Sequence, residues 1–211
     1  MDAIEIETGP EPGAAVIWLH GLGADGHDFE PIVPELEVPR PVRFVFPHAP
    51  IRPVTINNGM RMRAWYDIFQ FGGGPEDDAG LRASQKLLEE LIRAQGMPAA
   101  RIVLAGFSQG GAVVLQTALR HPERLAGVMA LSCYLPIAGT LAAEKSAANQ
   151  DLPIFMAHGL YDDLIPIGRA RQSREHLAKL GYPVEWREYP MPHSVCAPEI
   201  AHISAFLNRV L

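Results

Sequence analysis

Gly106-Phe107-Ser108-Gln109-Gly110 sets a serine between two glycines, each two residues away. A serine hydroxyl is a weak nucleophile near neutral pH. It needs a base to take its proton and a third group to orient that base. The flanks supply a setting, because residues 101–105 (RIVLA) read as a buried strand and residues 110–121 as an Ala/Val/Leu-rich helix. A strand that reverses so sharply into a helix strains the central residue, and side chains at the two glycine positions would collide. The turn would expose the Ser108 hydroxyl at the carboxyl end of a strand. It would also place the Gln109 backbone N–H at a helix N-terminus, where an anion is stabilised.

In this arrangement the acid and then the histidine follow the serine along the chain, each after a later strand. His158-Gly159-Leu160-Tyr161-Asp162-Asp163 follows the apolar run 153–157, and Pro190-Met191-Pro192-His193 follows 184–189. His193 is therefore expected to take the Ser108 proton, with one aspartate of the 162–163 pair to orient it. The residues alone leave open which. Histidines 27, 48, 121, 176 and 202 lack this context and read as surface residues. His20 and His158, each closing a strand before a glycine, read as hydrogen bonders behind the site.

A second glycine motif, Gly21-Leu22-Gly23-Ala24-Asp25-Gly26, fits the G-x-G-x-x-G dinucleotide fingerprint. The following strand, however, ends Val45-Phe46-Pro47-His48 with no acid for a ribose. The helix start also reads later, at Asp25 or Asp28 before Phe29. A nicotinamide enzyme is thus disfavoured.

These loops need a frame that brings them together. Runs at 16–19, 42–46, 101–105, 125–131, 153–157 and 184–189 read as strands, and residues 4–7 as an edge strand. Helical patterns at 77–95, 110–121, 167–180 and 198–210 alternate with them, so the class is α/β, a mostly parallel sheet covered on both faces. Residues 47–75, rich in Gly, Pro and aromatics and including FGGG at 71–74, read as a long binding loop. No linker or repeat divides the chain, which is expected to form one domain over 1–211.

Composition narrows the class of partner. With 18 Lys+Arg against 24 Asp+Glu the net charge is −6, which offers nothing to nucleic acid. The apolar stretch 125–137 contains Ser132 and Pro136 and falls short of the ~20 residues that span a bilayer. The acidic N-terminus lacks the marks of a signal peptide, and two cysteines make no disulfide framework. A cytoplasmic location is expected.

Six segments in order are WLHGLGADGHDF (18–29), FPHAPIRPVTINNGMRMRAWYD (46–67), GFSQGG (106–111), LSCYLP (131–136), HGLYDDLIP (158–166) and YPMPHS (189–194). Together they resemble the carboxylesterase/acyl-protein thioesterase family of α/β-hydrolases over nearly the whole chain, above all its small bacterial carboxylesterases without a lid. The resemblance implies the α/β-hydrolase fold and hydrolysis of short to medium acyl esters or thioesters through an acyl-serine. Small-molecule substrates, no cofactor, no metal and a homodimer known among relatives belong to the same expectation. It selects Asp162, by the form H-G-x-x-D-x-x-[VI]-P, and adds the Leu22 backbone N–H to that of Gln109 as oxyanion donors. Trp65, Leu135 and Ile165 would border the acyl groove. Tyr134 departs from the tryptophan that acyl-protein thioesterases often carry, which weighs against the long-acyl, lysophospholipase-like or protein-directed alternative. A non-catalytic ligand-binding α/β-hydrolase is the alternative of another class.

Overall fold

In the computed structural model, residues 1–70 and 73–211 are described. Phe71 and Gly72 of the FGGG run lie outside them. Seven strands form one sheet in the order β1-β3-β2-β6-β7-β8-β9. These are β1 (Ala3–Glu7), β2 (Ala14–Leu19), β3 (Val42–Pro47), β6 (Ile102–Phe107), β7 (Gly127–Leu131), β8 (Ile154–Gly159) and β9 (Val184–Tyr189). Among the described residues of this sheet only β1, the expected edge strand, runs antiparallel to its neighbour; the sheet's other pairs are parallel.

Central strands of such a sheet are buried on both faces, which is why AAVIWL, GVMAL and IFMAHG carry almost no polar residue. Successive side chains alternate between two cores. Ile17 and Leu19 join Leu104 under α1 (Asp78–Ala94) and α2 (Gln109–Ala118). Val16 and Trp18 join Phe44, Phe155 and Phe206 under α5 (Ala197–Val210). α3 (Ala138–Glu144) and α4 (Ile167–Lys179) add Leu141 and Leu177 to the first core. The Asp77 carboxylate caps α1 by accepting from the Gly80 N–H at 2.9 Å, and Gly96 at φ +67° follows its end.

Three expectations change. The helix sought near Asp25 or Asp28 is a 3-10 helix, Glu30–Glu35, because Pro31 and Pro34 remove backbone donors. The loop 47–75 contains a hairpin, β4 (Ile51–Val54) with β5 (Met60–Arg63). Its strands, IRPV and MRMR, are only four residues each and largely exposed, so the Met/Arg alternation of the second is too short to stand out. His121 is buried rather than superficial, since it follows a helix whose ten residues are all buried between the sheet and α1.

Candidate active site

Because β2 and β6 to β9 are parallel, the loops after them gather at one edge of the sheet. Ser108 follows β6 at φ 55°, ψ −117°, a conformation that non-glycine residues rarely adopt. A Cβ at position 106 would stand 2.4 Å from the Gly110 carbonyl group, and one at 110 would stand 2.4 Å from the Leu19 oxygen. The glycines therefore let strand, helix and the β2 loop approach at backbone distance. The Ser108 N–H donates to the Leu131 carbonyl at 2.8 Å, which ties the turn to the end of β7.

Gln109 opens α2, so its N–H has no partner within the helix. Its side chain accepts from the Trp65 N–H at 2.8 Å and donates to the Tyr66 carbonyl at 2.7 Å. Trp65 in turn donates its indole N–H to the His20 carbonyl at 2.9 Å. His20 accepts from the Ala49 N–H through Nε2, which leaves Nδ1 to donate to the Gly21 carbonyl at 2.7 Å. Burial lowers the His20 pKa, in keeping with this neutral tautomer. The chain carrying Leu22 and the start of α2 are thus braced through one hydrogen-bonded network.

Asp162 follows β8 and is buried, whereas Asp163 is exposed. One Asp162 oxygen accepts from the N–H groups of Leu164 (3.0 Å) and Ile165 (2.8 Å). The other accepts from His193 Nδ1 at 2.6 Å and lies 3.2 Å from His158 Nε2. Burial opposes ionisation, but the hydrogen bonds from His158, His193 and Ile165 outweigh it and hold the carboxyl well below the usual range. The His193 ring rests on Phe107, the residue before the serine, at 4.7 Å between centroids.

Ser108, His193, Leu22, Gln109 and Ile165 line one cavity of about 260 Å³. Trp65 and Leu135 do not line it. The Trp65 side chain is buried as a brace, and Leu135 sits in the core with its N–H donating to Ser173 at 2.9 Å. Their chain neighbours Tyr66 and Tyr134 form the wall instead, together with Ile68 and Arg169. Aromatic neighbours in irregular loops have no period that tells which one faces inward, so the sequence offered only the segment.

Sheet order, elbow and loop positions define an α/β-hydrolase. Comparison with known proteins narrows the class. A family model described as Phospholipase/Carboxylesterase matches residues 1–211. Acyl-protein thioesterase 1 of Gibberella zeae is 39% identical, covering 94% of this chain and 91% of its own. Among solved structures, Arabidopsis thaliana SOBER1 is 29% identical with a TM-score of 0.88, covering 93% of this chain and 98% of its own. Zea mays acyl-protein thioesterase 2 is 25% identical with a TM-score of 0.86, covering 98% of both chains. The chain belongs to the phospholipase/carboxylesterase family of α/β-hydrolases, and it is a hydrolase of carboxylic ester bonds. Among the described residues no helix is long and apolar enough to cross a membrane.

Proposed function

We propose that the protein hydrolyses short to medium acyl esters and thioesters through an acyl-Ser108 intermediate. The observation that carries the reading is that Ser108 and His193 line one cavity while Asp162 bonds His193 from behind. Ser108 Oγ attacks the acyl carbon as His193 Nε2 takes the hydroxyl proton, and Asp162 steadies the imidazolium. The N–H groups of Leu22 and Gln109 hold the oxyanion. Collapse breaks the bond to the leaving oxygen or sulfur, which takes the proton from His193. Water then attacks the acyl-serine, gives a proton to His193, and Ser108 recovers it as the carboxylic acid departs.

A cavity of about 260 Å³ lies below the ~300–1,000 Å³ that holds drug-sized ligands, which favours small acyl groups. Long-acyl, protein-directed hydrolysis is the second reading, favoured by the names of the relatives near 39% identity. Two free cysteines are in keeping with the cytoplasmic location expected. Ser108→Ala decides the chemistry. It should remove fluorophosphonate labelling and lower turnover of p-nitrophenyl butyrate by several orders of magnitude, with the fold intact. A variant that keeps a tenth of the wild-type rate would end Ser108's role. Rates on thioesters of graded acyl length then separate the two substrate readings.

A further inference from the structure

The wall of the cavity changes character along its length. Where Tyr66 and Tyr134 line it, Arg169 of α4 lines it too. The guanidinium carbon lies 3.3 Å from the centroid of the Tyr134 ring, and the two phenol oxygens are 3.1 Å apart. Burial raises the pKa of both phenols, so both stay protonated. One acid meets the guanidinium among the described residues: Glu76, whose Oε1 stands 3.4 Å from Nη2, a long contact. The other oxygen of Glu76 is taken by the Ile137 N–H at 2.8 Å. A guanidinium has five N–H donors, and stacking on a ring occupies none of them. The cavity therefore has a donor-rich end in which one phenol bonds the other and the guanidinium's internal acceptors are the Tyr134 oxygen and, at a long contact, Glu76.

The reaction assigns that end to one part of the substrate. The leaving group must lie beside His193, which returns the proton to it, and His193 rests on Phe107. Gln109, the residue after Ser108, reaches the Tyr66 carbonyl. On this reading the end holding Tyr66, Tyr134 and Arg169, tied to Gln109 rather than to His193, falls to the acyl chain.

We propose that Arg169, with the phenols of Tyr66 and Tyr134, binds a carboxylate at the far end of the acyl group. Half-esters and half-thioesters of short dicarboxylic acids are then the preferred substrates. The inference rests on the ester-hydrolase reading and narrows it. A planar guanidinium matches a carboxylate through paired hydrogen bonds, and partial enclosure strengthens the pairing. A methyl-ended chain of the same length leaves those donors without a partner, which is how a polar pocket rejects an apolar analogue. Glu76 competes with the substrate for the same cation.

The test compares kcat/KM for ethyl hydrogen glutarate and ethyl pentanoate, followed by pH-stat at pH 7, in wild type, Arg169→Met and Glu76→Gln. Thermal melts confirm that each variant is folded. Wild type should favour the charged ester by roughly tenfold or more. Arg169→Met should erase that preference through loss on the charged ester, and Glu76→Gln should widen it. A wild-type ratio near one, a ratio that Arg169→Met leaves within about twofold of wild type, or a narrower ratio in Glu76→Gln overturns the proposal. If ethyl pentanoate is hydrolysed without any such preference, the acyl-end inference alone falls. If neither ester is hydrolysed and Ser108 takes no fluorophosphonate, the hydrolase reading falls and carries this one with it.

Discussion

Asp162 has three hydrogen-bond donors around a buried carboxylate, two from backbone and one from His193, with His158 Nε2, which donates to the Ile165 carbonyl, 3.2 Å away. That arrangement makes it an anion whose position is fixed before any substrate arrives. Asp162→Asn should therefore lower kcat by about 10³–10⁴-fold, because the amide offers His193 the wrong tautomer. Asp163→Asn, altering an exposed carboxylate one residue away, should change it only a few-fold; steady-state rates on one ester decide between them. Were Asp163→Asn the more damaging, the assignment of the acid would be wrong by one position. Strand ends and chain order made the positions of Ser108 and His193 legible in the sequence, whereas the choice of Asp162 over Asp163 came from the resemblance. The wall residues were not legible, since Trp65 against Tyr66, or Leu135 against Tyr134, depends on the twist of a loop after the strand has ended. Arg169 carried no signal of its own. On a helix it reads as one more solvated cation, and only α4's approach to Tyr134 brings it to the cavity.

α5 follows directly on the loop that carries His193, and its third residue, Glu199, is fully buried with neither carboxylate oxygen hydrogen-bonded. Burial pushes its pKa up to about 8, with the nearby Cys196 N–H offsetting part of the effect. The folded protein then keeps a proton that the unfolded chain releases near the ordinary 4.5. Stability is greatest below that pH and declines as pH rises towards 8, by a few kcal/mol in all. Glu199→Gln removes the ionisation, so its Tm should match wild type at pH 5 and exceed it at pH 8 by several degrees. Parallel decline of the two proteins in calorimetry across this range would place the pH dependence elsewhere. The elements were legible to the degree that burial wrote them: β2, β6, β7 and β8 are near-continuous apolar runs. The β4–β5 hairpin escaped because its strands face solvent, although Asn58-Gly59, with φ of 53° and 75°, is the turn signal for such a pair.

At the scale of the whole molecule, the chain between Ser108 and Asp162 is spent on the scaffold. It forms α2, β7, the loop whose Tyr134 walls the cavity, the short α3, one 3-10 turn and β8, and holds no long helical insertion beyond these. A covered site opens at a lipid surface and gains rate there; an open one has nothing to gain. Each methylene of a neutral acyl chain buried against Ile68 or Ile165 contributes up to ~0.8 kcal/mol, so rates should climb over the first few carbons. The climb should then stop, because the volume is small and its far end carries Arg169 and two phenols. Graded p-nitrophenyl esters below their critical micelle concentrations, assayed beside emulsified triolein, check both halves. The expected profile is a maximum at short to medium acyl length, no jump in rate on passing into micelles, and little release of oleate. A preference for triolein, or a jump at the micelle threshold, would mean that part of the surface closes over Ser108 in solution and that the site is gated by lipid.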